Sequence, residues 1–461
     1  MGQGRRLERS DLASLEAGFS GALLLPTDAD YDDVRRVHNG MIDRCPALIA
    51  RCQDTADVVD ALAFARDRGL TVAVRGGGHN VAGRAVVDDA AMIDLSPMKG
   101  AHVDPKGRRI RAQGGVTWGE FNRATQLHGL AATGGAVSST GIAGLTLGGG
   151  FGFLMSKFGY TVDNLTAVEL VTADGAVLQA SADENSELFW GLRGGGGNFG
   201  IATSFEYRLH PVGPTVQGGL IAYPFEDTRE MMRFYRDLSA DAVDEFTLAA
   251  SLTHSADGTG TRLGAMLACH CGSAGEGAGV MDRMRRFGTP AIDGLGPIPY
   301  CALNRILDPS FPKLALSYWK SCFLGALGDD VIDLLREAFQ RCPSPMSKLI
   351  LEHFHGAALR PRSDDTAFPH RNPGFSVLII SQWQDPSESA ANIAWARETY
   401  DALQPFTCDG AYSNYLDDDE KLAGVRRAFG ENFARLQALK DRYDPENLFR
   451  HNQNIPPSGE A

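Results

Sequence analysis

No stretch of this 461-residue chain approaches the roughly 18 uninterrupted apolar residues that a membrane-spanning helix needs. The opening Met1 to Ser10 lacks the apolar core of a secretory signal, and Arg6 stands where a myristoylation motif asks for Ser or Thr. Positive charge is also short: 44 Lys and Arg face 57 Asp and Glu, a net −13. This balance argues against nucleic acid as the main partner, because phosphate backbones need a basic surface. Cysteines number eight and are scattered; only Cys269-His270-Cys271 clusters, without a second pair at zinc spacing, so no metal site is expected. No lysine directly follows a glycine cluster, and neither Gly-x-Ser-x-Gly nor His-Glu-x-x-His occurs. These absences remove P-loop, serine-hydrolase and zincin readings. A cytoplasmic, reduced protein without a membrane partner is the expectation.

Glycine is what the chain has in quantity, 53 residues, and much of it is clustered. Val72-Ala-Val-Arg75-Gly76-Gly77-Gly78-His79-Asn80-Val-Ala-Gly83 reads as a short strand entering a glycine loop. Glycines let a ligand approach the main chain, and successive N–H groups form a nest for phosphate oxygens. Arg75 would add a fixed positive charge. A second cluster runs from Gly134 through Gly141, Gly144 and Gly148 to Gly152, and a third from Arg193 to Gly200. Gly195-x-Gly197-x-x-Gly200 formally matches a dinucleotide fingerprint. It follows a helix and precedes a strand, the reverse of what a Rossmann turn requires.

The runs RGGGHNVAG, GLTLGGGFG, YTVDNLTAVELVTADG and LFWGLRGGGGNFGIATSFEYRL, with the closing YDPENLFRHNQNIPP, resemble FAD-linked oxidases of the berberine-bridge-enzyme-like group. That group has the vanillyl-alcohol-oxidase (PCMH-type) FAD fold, and the resemblance covers roughly residues 30 to 457. It implies that His79 carries the flavin 8α-methyl group covalently. Where the family often adds a cysteinyl bond this chain has Val137, so a single link is expected. It further implies pyrophosphate contacts from Gly76, Gly77, Gly78 and Asn80, with Gly83 closing the first loop. Val137, Ser138, Thr140, Gly141, Gly144 and Gly148 would flank the flavin and adenosine, and Gly200 and Ile201 the adenine side. Thr140 falls where the family controls oxygen access. Asn414 would hold the flavin or a tyrosine hydroxyl, and Asn452 and Asn454 would close over the flavin.

The pattern of elements implies an α+β fold. Residues 1–41 form a lead-in with an amphipathic helix over Asp11–Phe19, and 42–213 the PCMH-type FAD-binding domain. Residues 214–406 read as a sheet with covering helices, which the resemblance implies is an antiparallel substrate domain, and 407–461 as a segment that returns to the FAD domain. Thr55 to Gly69 is a well-signalled helix that Thr55 can cap. Strand patterns occupy Phe246–Leu252, Arg262–His270 and Phe375–Gln382, and helical ones Glu276–Phe287, Asp329–Arg341 and Asp418–Arg442.

Three residues are candidates for catalysis. Tyr412 resembles the family tyrosine over the flavin, although a free phenol, with a pKa of about 10, needs help to act as a base near neutrality. Alternation in Leu351-Glu352-His353-Phe354-His355 puts Glu352 on one face and both histidines on the other, so either Glu352 or His355 faces substrate, not both. The implied activity is oxidation of a C–OH or activated C–H of a small organic molecule, with hydride to flavin N5 and O2 as acceptor giving peroxide. The alternatives are a flavin-dependent oxygenating or cyclising enzyme and a dehydrogenase using another acceptor. A monomer or homodimer is expected.

Overall fold

The computed structural model describes residues 7–419 and 422–460. Most of the N-terminal stretch read for targeting signals, residues 1–6, lies outside them. Two sheets make the first half of the chain. In the smaller, Leu48–Arg51, Ala91–Asp94 and Val72–Arg75 run parallel, and Ala22–Leu24 adds an antiparallel edge. The lead-in thus contributes a strand of its own. The central strands are buried on both sides, as parallel strands under covering elements are. Helix Thr55–Asp67 supplies that cover through Val58, Ala61, Leu62 and Ala65. Its cap is Asp54, whose carboxylate accepts from the Asp57 N–H, and not Thr55. The Thr55 hydroxyl is turned instead to Glu169.

The second sheet has five antiparallel strands in the order Ala101–Asp104, Arg109–Gln113, Ile201–Arg208, Leu165–Val171 and Val177–Ser181. Beyond it the chain builds a nine-stranded, wholly antiparallel sheet between Thr215 and Cys408. Period-two alternation gives this sheet two different faces. Leu248, Met266, Leu349, Leu351, Val377 and Ile379 pack under helices Thr228–Ala240, Asp329–Gln340 and Ser389–Leu403. The residues between them, among them Leu267, Ile350 and Leu378, look the other way into a cavity. The α+β expectation and the helix-covered antiparallel sheet both describe the molecule.

Two helical readings need correction. The expected lead-in helix is only a 3-10 turn, Arg9–Leu12, followed by Ala13–Glu16, because Gly18 and Gly21 follow at once. The helix expected over Asp418–Arg442, of which residues 420 and 421 lie outside the described ones, is two helices, Leu422–Phe429 and Phe433–Tyr443. Gly430 (φ 50°) breaks it, and the Asn432 amide donates to the Ser363 and Thr366 carbonyls, fixing the break against that loop.

The tail is tied to the third glycine cluster by one buried cation. Lys440 Nζ donates to Asp444 at 2.6 Å and to the carbonyls of Asn198 and Phe449, with both charged side chains fully buried. Removing one partner of such a pair leaves an uncompensated buried charge. Lys440→Met is expected to cost about 3–5 kcal/mol, measured by denaturant unfolding, and no change in midpoint would refute this tie.

Candidate active site

All three glycine clusters meet the uncovered face of the large sheet around one cavity of about 590 Å³. The first cluster leaves the strand Val72–Arg75 and turns at Gly78 (φ 65°). The second crosses it so closely that glycine faces glycine. A Cβ on Gly77 would lie 2.4 Å from the Gly141 nitrogen, and one on Gly141 the same distance from the Gly77 nitrogen. Gly144 and Gly197 also line the cavity, and around each a Cβ would meet nothing within 4 Å, so the space is left for a bound molecule. The tail completes this side: the Asn452 amide donates to the Gly197 carbonyl, and the Ile455 N–H to Asn198.

His79 lines the cavity at the first loop. Its ring stacks on His38 with centroids 3.8 Å apart, and its Nε2 is 2.9 Å from the Ser139 hydroxyl. His38 is held in place by its own N–H, bonded to the Gly78 carbonyl. Enclosure by protein, then the nearby His38, drives the His79 pKa down to about 3, so the imidazole is neutral. Neither His38 nor Ser139 was marked by any motif. Gly76, Gly77, Gly78, Asn80, Val137, Thr140, Gly141, Gly144, Gly148, Gly200, Ile201, Asn414 and Asn452 all line the same cavity.

Five expected site residues are placed elsewhere. Arg75 does not offer its charge to a ligand: it is buried in a two-pronged pair with Asp94 and bonds the Val34 carbonyl. Arg84 lines the cavity instead, its Nε buried and unpartnered among the described residues. Gly83 is a turn glycine (φ 66°) pressed on Ile42, where a Cβ would meet Cγ1 at 2.4 Å. Ser138 is consumed by Asp308, through both its N–H and its hydroxyl. Asn454 is not among the lining residues, and its neighbour Gln453 is. His355 sits on the far face of its strand, stacked on His353 and bonded to the Phe246 carbonyl, which removes it from the site.

The wall opposite the glycines is the strand Lys348–Phe354, which presents Lys348, Ile350 and Glu352 to the cavity. Glu352 is enclosed; burial pushes its carboxyl up to about 7, only partly offset by Ser376 and by the Tyr415 hydroxyl, which donates to Oε1 at 3.2 Å. Its Oε2 is buried without a partner among the described residues. Burial also lowers the Lys348 ammonium to about 7. The Tyr412 hydroxyl accepts from the Gly150 N–H (3.1 Å) and the Asn414 amide (2.8 Å). Burial nevertheless raises its pKa, so it stays a phenol at neutral pH. Lys348 was missed in the sequence; the same alternation that separates Glu352 from the histidines puts it on the face of Glu352, four positions away. Among the described residues no cluster suited to a metal ion occurs, Cys269 to Cys271 included.

The chain matches the FAD binding domain family over residues 46–181 and the berberine and berberine-like family over 411–456. It is 39% identical to the FAD-linked oxidoreductase pgmH of Aspergillus terreus, over 97% of this chain and 96% of that protein. It is 31% identical to (R)-6-hydroxynicotine oxidase of Paenarthrobacter nicotinovorans, over 96% and 98%. The chain belongs to the berberine-bridge-enzyme-like FAD-linked oxidoreductases. Among solved structures, 6-hydroxy-D-nicotine oxidase from Arthrobacter nicotinovorans superposes with a TM-score of 0.86 at 28% identity, covering 95% and 98% of the chains. Berberine bridge enzyme from Eschscholzia californica shares the fold, with a TM-score of 0.87 at 22% identity, covering 97% and 99%.

The cavity of this FAD-linked oxidoreductase fits its cofactor. Backbone N–H groups of the crossed glycine loops suit the pyrophosphate. Asn80, Asn452 and Gln453 each hold a buried side-chain oxygen with no partner among the described residues, as ribityl, ribose or ring N–H donors require. Because backbone meets backbone at Gly77 and Gly141, no side chain can move aside for a methyl group. Gly141→Ala is therefore expected to purify with little or no FAD, read from the flavin-to-protein absorbance ratio. A variant with full flavin content would show that the close crossing is not what shapes the site.

Proposed function

We propose that this enzyme holds FAD through a single covalent bond to His79 and oxidises a C–OH or activated C–H of a small organic substrate, with Glu352 as the base. The observation that carries the reading is the buried Glu352 carboxyl, which faces the cavity and whose Oε2 has no hydrogen-bond partner among the described residues. Bound FAD would supply the hydride acceptor for the substrate carbon and the route for the electron pair to O2, giving hydrogen peroxide. Glu352 takes the accompanying proton at Oε2, while the Tyr415 hydroxyl on Oε1 holds the carboxylate in place. With a pKa near 7 it is matched to proton transfer at neutral pH. Tyr412, expected as the base, takes a positioning role here. Its hydroxyl already accepts two hydrogen bonds, and its proton is held too tightly to leave at pH 7. At His79, a proton on Nε2 donated to Ser139 leaves Nδ1 as the nucleophilic nitrogen. Val137 offers no sulfur for a second bond. Thr140, small and on the cavity wall, leaves O2 room to reach the flavin.

The limiting rate of flavin reduction by a substrate should rise about tenfold per pH unit below about 7 and level off above it, because only ionised Glu352 accepts the proton. Glu352→Gln should lose that limb and fall by about 10²–10⁴-fold. Anaerobic mixing measures both, and a variant that keeps the limb removes Glu352 from the proton step. Admitting air to the reduced enzyme should restore the flavin spectrum with one peroxide per flavin. Failure to reoxidise would replace O2 with another acceptor.

A further inference from the structure

Hydride and proton transfer leave Lys348, a charged group of the cavity wall, without a task. Lys348 is 6% exposed and presents its ammonium on the same wall as Glu352. It donates to the Ser310 carbonyl at 2.6 Å, reaches the Gln382 side-chain oxygen only at 3.5 Å, and lies 4.5 Å from the centre of the Phe311 ring. All of these partners are neutral. The other titratable groups nearby do not supply a counter-charge. His254, on the adjacent strand Phe246–His254, lines the cavity as a ring driven toward its neutral form by burial, with no partner for Nδ1 among the described residues. Asp308, on the loop that carries Ser310, is committed to Ser138. Glu352 is four strand positions away, about 13 Å along the backbone.

A lone ammonium in an apolar wall is unfavourable unless something of opposite charge meets it. Between Lys348 and Glu352 the wall is Ile350, flanked by Leu378, Trp319 and Phe311. A flat apolar body therefore fits between the two polar ends. We propose that Lys348 is the specificity-determining residue of this cavity, and that it selects substrates with an aromatic body carrying an anionic oxygen group at the end remote from the oxidised carbon. The inference rests on the reading above in taking the same cavity as the substrate site. Ion pairing across a dry wall explains why a lysine, and not another apolar residue, continues the stripe of Ile350.

The test is calorimetric titration of the flavin-loaded enzyme with a matched pair of probes, 2-naphthoate and 2-naphthamide. Wild type is expected to bind the carboxylate roughly tenfold or more tightly at about pH 6, a preference that shrinks by about pH 8.5 as the ammonium loses its proton. Lys348→Met should abolish the preference and Lys348→Arg should keep it, each with the flavin-to-protein ratio of wild type. Equal affinities in wild type, or a preference that survives in Lys348→Met, would overturn the proposal. The flavin ratio separates the two readings. A flavin-loaded enzyme without the preference contradicts only the role of Lys348. A flavin-free chain that prefers naphthoate through Lys348 contradicts only the oxidase.

Discussion

The site depends on the contact between Gly77 and Gly141, where two loops cross backbone to backbone with no room for a Cβ on either. This contact brings the His79 loop and the Thr140 loop together on the wall of one cavity. The rest follows from fixing it. The parallel strand Val72–Arg75 is buried on a small sheet and aims the first loop, and the Arg75–Asp94 pair locks that strand to its neighbour. The third cluster and the tail then close the same space, held by buried Lys440. The three glycine clusters line this one space, where the first two meet main chain to main chain.

Across the cavity the constraint is alternation. A strand that buries Leu349 and Leu351 under helices must turn Lys348, Ile350 and Glu352 the other way. The same enclosure acts on two groups of opposite charge type, raising the carboxyl of one and lowering the ammonium of the other toward neutrality. Both then change protonation near pH 7, which suits the proton transfer proposed for Glu352 and confines the charge on Lys348 to the lower side of that range. Tyr412 and Tyr415, though both buried phenols, differ by their partners: one receives two hydrogen bonds, the other gives one to Glu352.

Much of this was legible in the residues, because glycine clusters and period-two alternation are local signals. The glycine loops, the helix-covered sheet and the opposition of Glu352 to His355 all come from such patterns, whereas the crossing of Gly77 and Gly141 does not. What the sequence hid was pairing across long separations. Arg75 looked available for a phosphate until Asp94 claimed it, and Ser138 looked like a loop contact until Asp308, 170 positions on, took both its donors. His38 stacks under His79 from a lead-in with no motif at all. The break at Gly430 was obscured because helix-forming residues flank it on both sides.

The most direct measurement of the central claim, FAD held in this cavity by His79, is acid precipitation of the purified protein followed by peptide mapping. Yellow colour should stay with the pellet, and digestion should yield one flavin-bearing peptide, containing His79 and no second attachment site. FAD released wholly into the supernatant would contradict the covalent bond, and a protein without flavin in either fraction would contradict the account as a whole.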